Sequence, residues 1–206
     1  NPEPTNWKNL PSSYRRYEDN LDYANAYLSE QNFINNGQIN WEEIYQLNAN
    51  KSNALYYLYE DRVDDTQLSF NSVLNTNLKN NILLNAGVNY TNLTSKNYGN
   101  MLDLLGSDGF VDLDQYAIGD AQQNDLNNPN RIVGEGDKFQ YDYLINGSVA
   151  GAFAQIQVTN RKADYFVGIN FKSTSYQREG LYKNGTYFNN SYGNGEQQSF
   201  SDFSVK

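Results

Sequence analysis

From residue 66 onward the chain alternates apolar and polar positions with a period of two, the pattern of a strand that is apolar on one face. In residues 66–77, Leu68, Phe70 and Leu74 share a face with Thr66, Ser72 and Thr76, while Gln67, Asn71 and Asn75 take the other. Residues 82–94 repeat the pattern, with Ile82, Leu84, Ala86, Val88 and Tyr90 opposite Asn85, Gly87, Asn89 and Thr91. The polar connection Leu78-Lys79-Asn80-Asn81 between them predicts a β-hairpin. Alternation returns at Phe139. There Phe139, Tyr141, Tyr143, Ile145, Gly147, Val149, Gly151 and Phe153 are expected on one face, with Gln140, Asp142, Asn146, Ser148 and the alanines on the other. After a short turn at 159–163, Tyr165, Val167, Ile169 and Phe171 alternate with Phe166, Gly168, Asn170 and Lys172, and a further strand starts near 199.

The first fifty residues lack this alternation. Leu21, Ala24, Tyr27, Leu28 and Ile34 fall on roughly one helical face, predicting a helix over Asn20–Asn35 that ends at Gly37. A shorter helix is expected from Trp41 to Leu47, with Asn40 as its N-cap and Glu43 in the capping-box position. The expected architecture is therefore all-β, with antiparallel strands at about 54–77, 82–95, 137–158, 164–178 and 199–206. Long segments at 1–53, 96–136 and 179–198 connect or precede them, and no separate second domain is expected.

Short and long connections strictly take turns, so every short turn falls at one end of an antiparallel meander and every long loop at the other. Transmembrane β-barrels sort their loops this way, with short periplasmic turns and long extracellular loops. Charge placement points the same way. The spans 66–77, 82–94, 141–157 and 165–175 hold only Asp142 and Lys172, both expected on the polar face. A half-exposed soluble sheet ordinarily carries charge on its wet face. Tyr90, Phe139, Tyr141 and Tyr143 toward the loops, with Tyr165 and Phe153 toward the turns, are expected to rim an aliphatic band of Ala86, Val88, Ile145, Val149, Val167 and Ile169. The expected fold is a partial transmembrane antiparallel β-barrel, a slice of a larger one. So few strands cannot close, and the abrupt ends of the chain favour a longer parent over assembly from copies.

Composition narrows the chemistry. The 206 residues contain no Cys and no His, which removes disulfides, thiolate or HExxH zinc sites and the usual serine triad. A net charge of −9 argues against a nucleic-acid partner. The apolar runs are too short for a spanning helix, and the opening Asn1-Pro2-Glu3-Pro4 has neither an initiator Met nor a signal sequence. The acidic loop residues Asp103, Asp108, Asp112, Asp114 and Asp120 could hint at calcium, but SDGFVDLDQ does not follow the EF-hand spacing, so a solvated loop is expected. The adjacent pairs Glu42/Glu43 and Asp64/Asp65 point in different directions and read as caps or strand ends, not as acid–base pairs. Sequons at Asn89, Asn92, Asn146 and Asn184 carry no weight in a chain with 33 Asn. Gly134/Gly136 and Gly147/Gly151 lack a phosphate-loop pattern and suit turns and strand packing. Trp7, Trp41, Tyr14, Tyr17, Tyr23 and Tyr27 could stack on sugars, meet a partner or form a small loop core. No catalytic, cofactor or metal residue is assigned, and no enzyme is expected.

The stretches NPEPTNWKNLPSSY, INWEEIYQLN and LYYLYEDRVDDTQL, followed by NTNLKNNILLNAGVNYTNL, resemble the barrel region of TonB-dependent outer-membrane receptors. The likeness is to the Oar-like and SusC-like group with an N-terminal carboxypeptidase-regulatory-like domain. MLDLLGSDGFVDLDQYA and RIVGEGDKFQYDY resemble an extracellular loop and the strand after it in that group. The resemblance implies a 22-stranded plugged barrel in a Gram-negative outer membrane and import powered through TonB. A surface lipoprotein lid or other outer-membrane subunits would be the partners, with membrane lipid around the wall. The plug, TonB box and regulatory domain are not in these residues, so energy coupling rests on resemblance alone. The alternative from another class is a secreted, soluble β-rich adhesin or carbohydrate-binding module.

Overall fold

The computed structural model describes residues 10–16, 21–37 and 39–206. Trp7, Tyr17 and the expected helix start at Asn20 lie outside the described residues. Strands dominate and helices are few, so the chain is all-β. It divides into two compact units, residues 1–47 and 48–206. In the first, α1 (Tyr23–Asn36) starts where the Asp22 carboxylate accepts the Asn25 N–H, and Gly37 follows its last turn. Ala26 is its buried residue, while Tyr23, Tyr27, Leu28, Phe33 and Ile34 are exposed. Next, α2 (Trp41–Asn48) is capped as expected: the Glu43 N–H donates to Asn40 Oδ1, and Asn40 Nδ2 donates to Glu43 Oε2.

The second unit is one antiparallel sheet with ordered loops. Its strands are β1 (Leu58–Lys79), β2 (Ile82–Asp103), β5 (Lys138–Thr159), β6 (Asp164–Gly180) and β8 (Gln198–Val205), neighbours in that order. Two-residue strands β3 (Phe110–Val111) and β4 (Ile132–Val133) pair in the first long loop, and β7 (Gly193–Asn194) pairs with the end of β6. Each of β1, β2 and β5 has 22 residues, about 70 Å of extended chain. The turn at Asn80–Asn81 is as tight as expected. Strand β2, however, continues to Asp103, well past residue 95, because its polar end pairs with the charged start of β1. Lys96 stands opposite Asp64, Tyr98 opposite Arg62 and Asn100 opposite Glu60. Tyr98 donates to Asp64 Oδ2 at 2.6 Å. Asn100 likewise donates to Glu60 Oε1, and alternation of hydrophobicity does not register a strand held by such polar cross-strand bonds.

The register fixes the faces. Near the short turns, Leu68, Phe70 and Leu74 of β1 align with Tyr90, Val88, Ala86 and Leu84 of β2 on one face. Ala150, Ala152, Ala154, Ile156 and Val158 of β5 continue that face. Tyr165, Val167, Ile169 and Phe171 of β6, then Phe203 and Val205 of β8, complete the apolar band. At the same height the opposite face is mostly polar, carrying Asn71, Asn75, Asn85, Gly87, Asn89, Gly151, Gln155, Gly168, Asn170 and Lys172, with Val73, Leu83, Phe153 and Phe166 among them.

This corrects the expected faces of β5. Its alanines, not Phe153, Val149 and Ile145, belong with Val88 and Ile169. Phe153 lies on the polar face across Gly87, where a Cβ would meet its ring at 2.5 Å. Asp142 is corrected too. It lies on the banded face, opposite Tyr98, past the end of the band. Both faces of β5 carry apolar residues, and only the partner strands reveal which belongs to the band. Both long edges of the sheet are open: β1 pairs only with β2, and beyond β8 no strand follows among the described residues. The sheet does not close on itself.

The tightest packing lies where the first long loop meets the ends of β2 and β5. Ala54, Met101, Leu104, Phe110, Val133 and Phe139 form a buried cluster with Tyr57 at the long-loop end. The Tyr57 and Phe110 rings lie 4.4 Å apart, and Phe139 meets both edge-on. Asn48 is fully buried beside it. Its amide donates to the carbonyls of Tyr56 and Leu104 and accepts from the Leu55 and Tyr56 N–H groups, so every capacity of the side chain toward this turn is used.

Candidate functional site

At the long-loop end, the two loops between strands are tied to the sheet by one polar knot. Between Tyr98 and Gly99 the β2–β5 ladder slips, and Gln140, with φ 62°, forms the bulge. The bulge frees the Gln140 N–H, which donates to Asp112 Oδ1 at 2.9 Å. Asn124 donates to the same oxygen, and Arg131 Nη2 meets Asp112 Oδ2 at 2.6 Å. Arg131 also donates to the Lys138 carbonyl and the Tyr182 hydroxyl, with its guanidinium 4.6 Å from the Tyr182 ring centre. Tyr182 belongs to the second long loop, so this arginine joins both loops to the start of β5. Burial disfavours the Arg131 charge, yet the bonds to Tyr182 and Asp112 outweigh it and hold its pKa above the ordinary value. Burial raises the Tyr182 phenol, against the pull of Arg131. It likewise raises Tyr57, helped by Tyr59 and Asp112.

Next to the knot, on the face opposite the apolar band, opens a cleft of about 390 Å³ lined by Tyr141, Tyr143, Arg178, Asn184, Tyr187 and Asn190. The bulge re-aims Tyr141, whose hydroxyl donates to Asp61 at 2.8 Å, and its ring centre lies 6.0 Å from that of Tyr143. Arg178, from β6, stacks 5.0 Å over Tyr143 and donates through Nη1 to the Ser191 carbonyl at 3.1 Å. Ser191 reaches that position because its backbone passes directly over Gly180, leaving no room for a Cβ there. Asn184 Oδ1 accepts the N–H groups of Thr186 and Tyr187, which fixes the loop carrying Tyr187 and Asn190.

The residues weighed in the sequence scatter. Asp112 is a buried knot residue, not a solvated one. Asp103 and Asp114 cap the Leu105 and Tyr116 N–H groups two residues on, and Asp120 sits in a single 3₁₀ turn at Gly119–Gln122. Among the described residues, no three His, Cys, Asp or Glu side chains are placed to hold a metal ion. Glu43 serves a cap, and Asp64 pairs with Arg62 and Tyr98. Arg131, Tyr182, Arg178 and Tyr187 were not singled out from the sequence. Their one visible signal is an arginine at the edge of each Asn- and Gly-rich loop, Arg131 late in the acidic first loop and Arg178 just before the second. Compared with known proteins, the chain matches no family model, no curated protein and no solved structure.

Proposed function

We propose that residues 48–206 form part of the wall of a β-barrel in the outer membrane of a Gram-negative bacterium. The parent protein is read as a TonB-dependent receptor that imports a nutrient or scaffolds a surface complex. The observation that carries this reading is the apolar band. It runs across β1, β2, β5, β6 and β8 at the short-turn end, broken only by Ser72 and Thr76 of β1 on its outer edge, and the face behind it is mostly Asn, Gln and Gly with Lys172, among which stand Val73, Leu83, Phe153 and Phe166. From Ile82 to Tyr90 it matches the roughly 9–11 residues of a tilted spanning strand. Beyond it the same face turns polar at Asn92, Thr94, Asn146, Ser148, Ser175 and Gln177, as expected where 22-residue strands rise out of a bilayer.

In this reading lipid covers the band, and the asparagine-rich face lines the lumen. The open edges of β1 and β8 pair with further strands, since unpaired backbone in hydrocarbon costs several kcal/mol per group. The long loops face outward, where a surface lipoprotein or another subunit meets them. TonB coupling follows from the family resemblance alone. A secreted soluble module fits less well. Leu68 is 70 % exposed and Phe203 68 %, and a soluble monomer seldom leaves so continuous an apolar patch to water.

Fractionation of native cells tests the proposal. The expected result is recovery in the outer membrane, resistant to salt and alkaline washing, with an intact mass on the order of 100 kDa, as a large plugged barrel requires. Recovery from the soluble fraction near 23.5 kDa would overturn it in favour of the secreted module.

A further inference from the structure

We propose that the Tyr141–Tyr143–Arg178 cleft binds a small organic monoanion, a carboxylate carried beside a flat ring. The inference stands on the cleft and not on the membrane reading. At this end of the sheet, Arg62 is paired with Glu60 and Asp64, and Arg131 with Asp112. Arg178 has no carboxylate partner among the described residues. It is nevertheless held in place, by the Tyr143 ring beneath it and the Ser191 carbonyl at Nη1. A planar cation fixed on one side keeps its remaining N–H groups in a fork that matches a carboxylate with two parallel hydrogen bonds.

The walls decide what the carboxylate is attached to. The Tyr141 and Tyr187 rings offer flat surfaces for stacking, and the amides of Asn184 and Asn190 offer neutral hydrogen bonds. At about 390 Å³ the space suits a small molecule. Charge sets the valence. Among the described residues that line the cleft Arg178 is the one cation, and Asp61 stands on the Tyr141 hydroxyl. A dianion such as phosphate therefore meets one positive charge with a carboxylate nearby, whereas a monoanion is matched by Arg178 alone.

Calorimetric titration of the full-length folded protein tests this with phenylacetate, its neutral isostere phenylacetamide, and inorganic phosphate. Phenylacetate is expected to bind saturably, and phenylacetamide and phosphate at least tenfold more weakly. Arg178→Gln is expected to abolish the preference for acid over amide, while Lys172→Gln, elsewhere on the same face, leaves it intact. Equal affinity for acid and amide in the unaltered protein, no saturation by phenylacetate in the millimolar range, or tighter binding of phosphate overturns the proposal. These comparisons need no variant, so a misfolded Arg178→Gln cannot obscure them. Membrane location is measured separately and does not enter the result.

Discussion

Asp112 turns two irregular loops into one structure. Its carboxylate side chain is 1 % exposed and gathers Arg131, Asn124 and the freed N–H of the β5 bulge. Removing one partner of a buried ion pair strands the other, a loss of about 3 kcal/mol. Arg131→Ala and Asp112→Ala are each expected to lower the thermal midpoint and open residues 104–137 to proteolysis, with the double variant losing much less than the sum. Additive losses would mean the pair is not coupled. Tyr182 adds a pH dependence whose sign follows from burial. Its folded pKa lies above the unfolded value of 10.0, so the neutral phenol is the folded form. That stabilisation is complete below about pH 10 and is lost as pH rises through the folded value. Protease sensitivity of the second long loop should therefore increase at alkaline pH, and Tyr182→Phe should remove that step while weakening the loop at neutral pH. Gly180 is the third critical residue. Any side chain there collides with the Ser191 backbone and pushes on Arg178, so Gly180→Ala should disrupt the cleft while leaving the hairpin turns intact.

At the scale of elements, strand and hairpin positions were legible wherever one face was apolar. The β1–β2 turn, the β5–β6 turn, both helices and the Asn40 cap follow from alternation, helical spacing and capping chemistry. Two features were not legible. Continuation of β2 past residue 95 depends on cross-strand pairs such as Lys96 with Asp64, which only the register brings together. The facing of β5 depends on packing: Phe153 fills the space over Gly87, and small alanines face the band. Gly87→Val should displace Phe153 and loosen the pairing of β2 with β5. Charge substitutions should separate the faces. Ala152→Arg, on the band, is expected to cost about 2–4 kcal/mol of folding stability in a bilayer, whereas Asn89→Arg, one position away in register but on the other face, should cost about 1 kcal/mol or less. Equal sensitivity at both positions would contradict the assigned faces. The cleft was the least legible part. Tyr141 is far in sequence from Arg178 and Tyr187, and the three meet only through a bulge and a close backbone approach.

At the scale of the whole sheet unit, residues 48–206, the two ends of the sheet differ in what they hold. The long-loop end holds the buried aromatic cluster, the Asp112–Arg131 knot and the cleft. The short-turn end holds a band of exposed apolar side chains on a sheet open at both edges. The proposed membrane reading makes one claim of this surface: the band faces the hydrocarbon and its reverse faces a lumen. These residues contain no Cys, so single-Cys spin labels can be placed along β2 and β5 without background from this segment. Labels at residues 86, 88, 152 and 154 of the full-length protein in bilayers should relax strongly with lipid-dissolved oxygen. Labels at 85, 89, 151 and 155 should respond instead to a water-soluble relaxant, giving an oscillation with a period of two. Uniform access of the water-soluble relaxant to both sets would contradict the account.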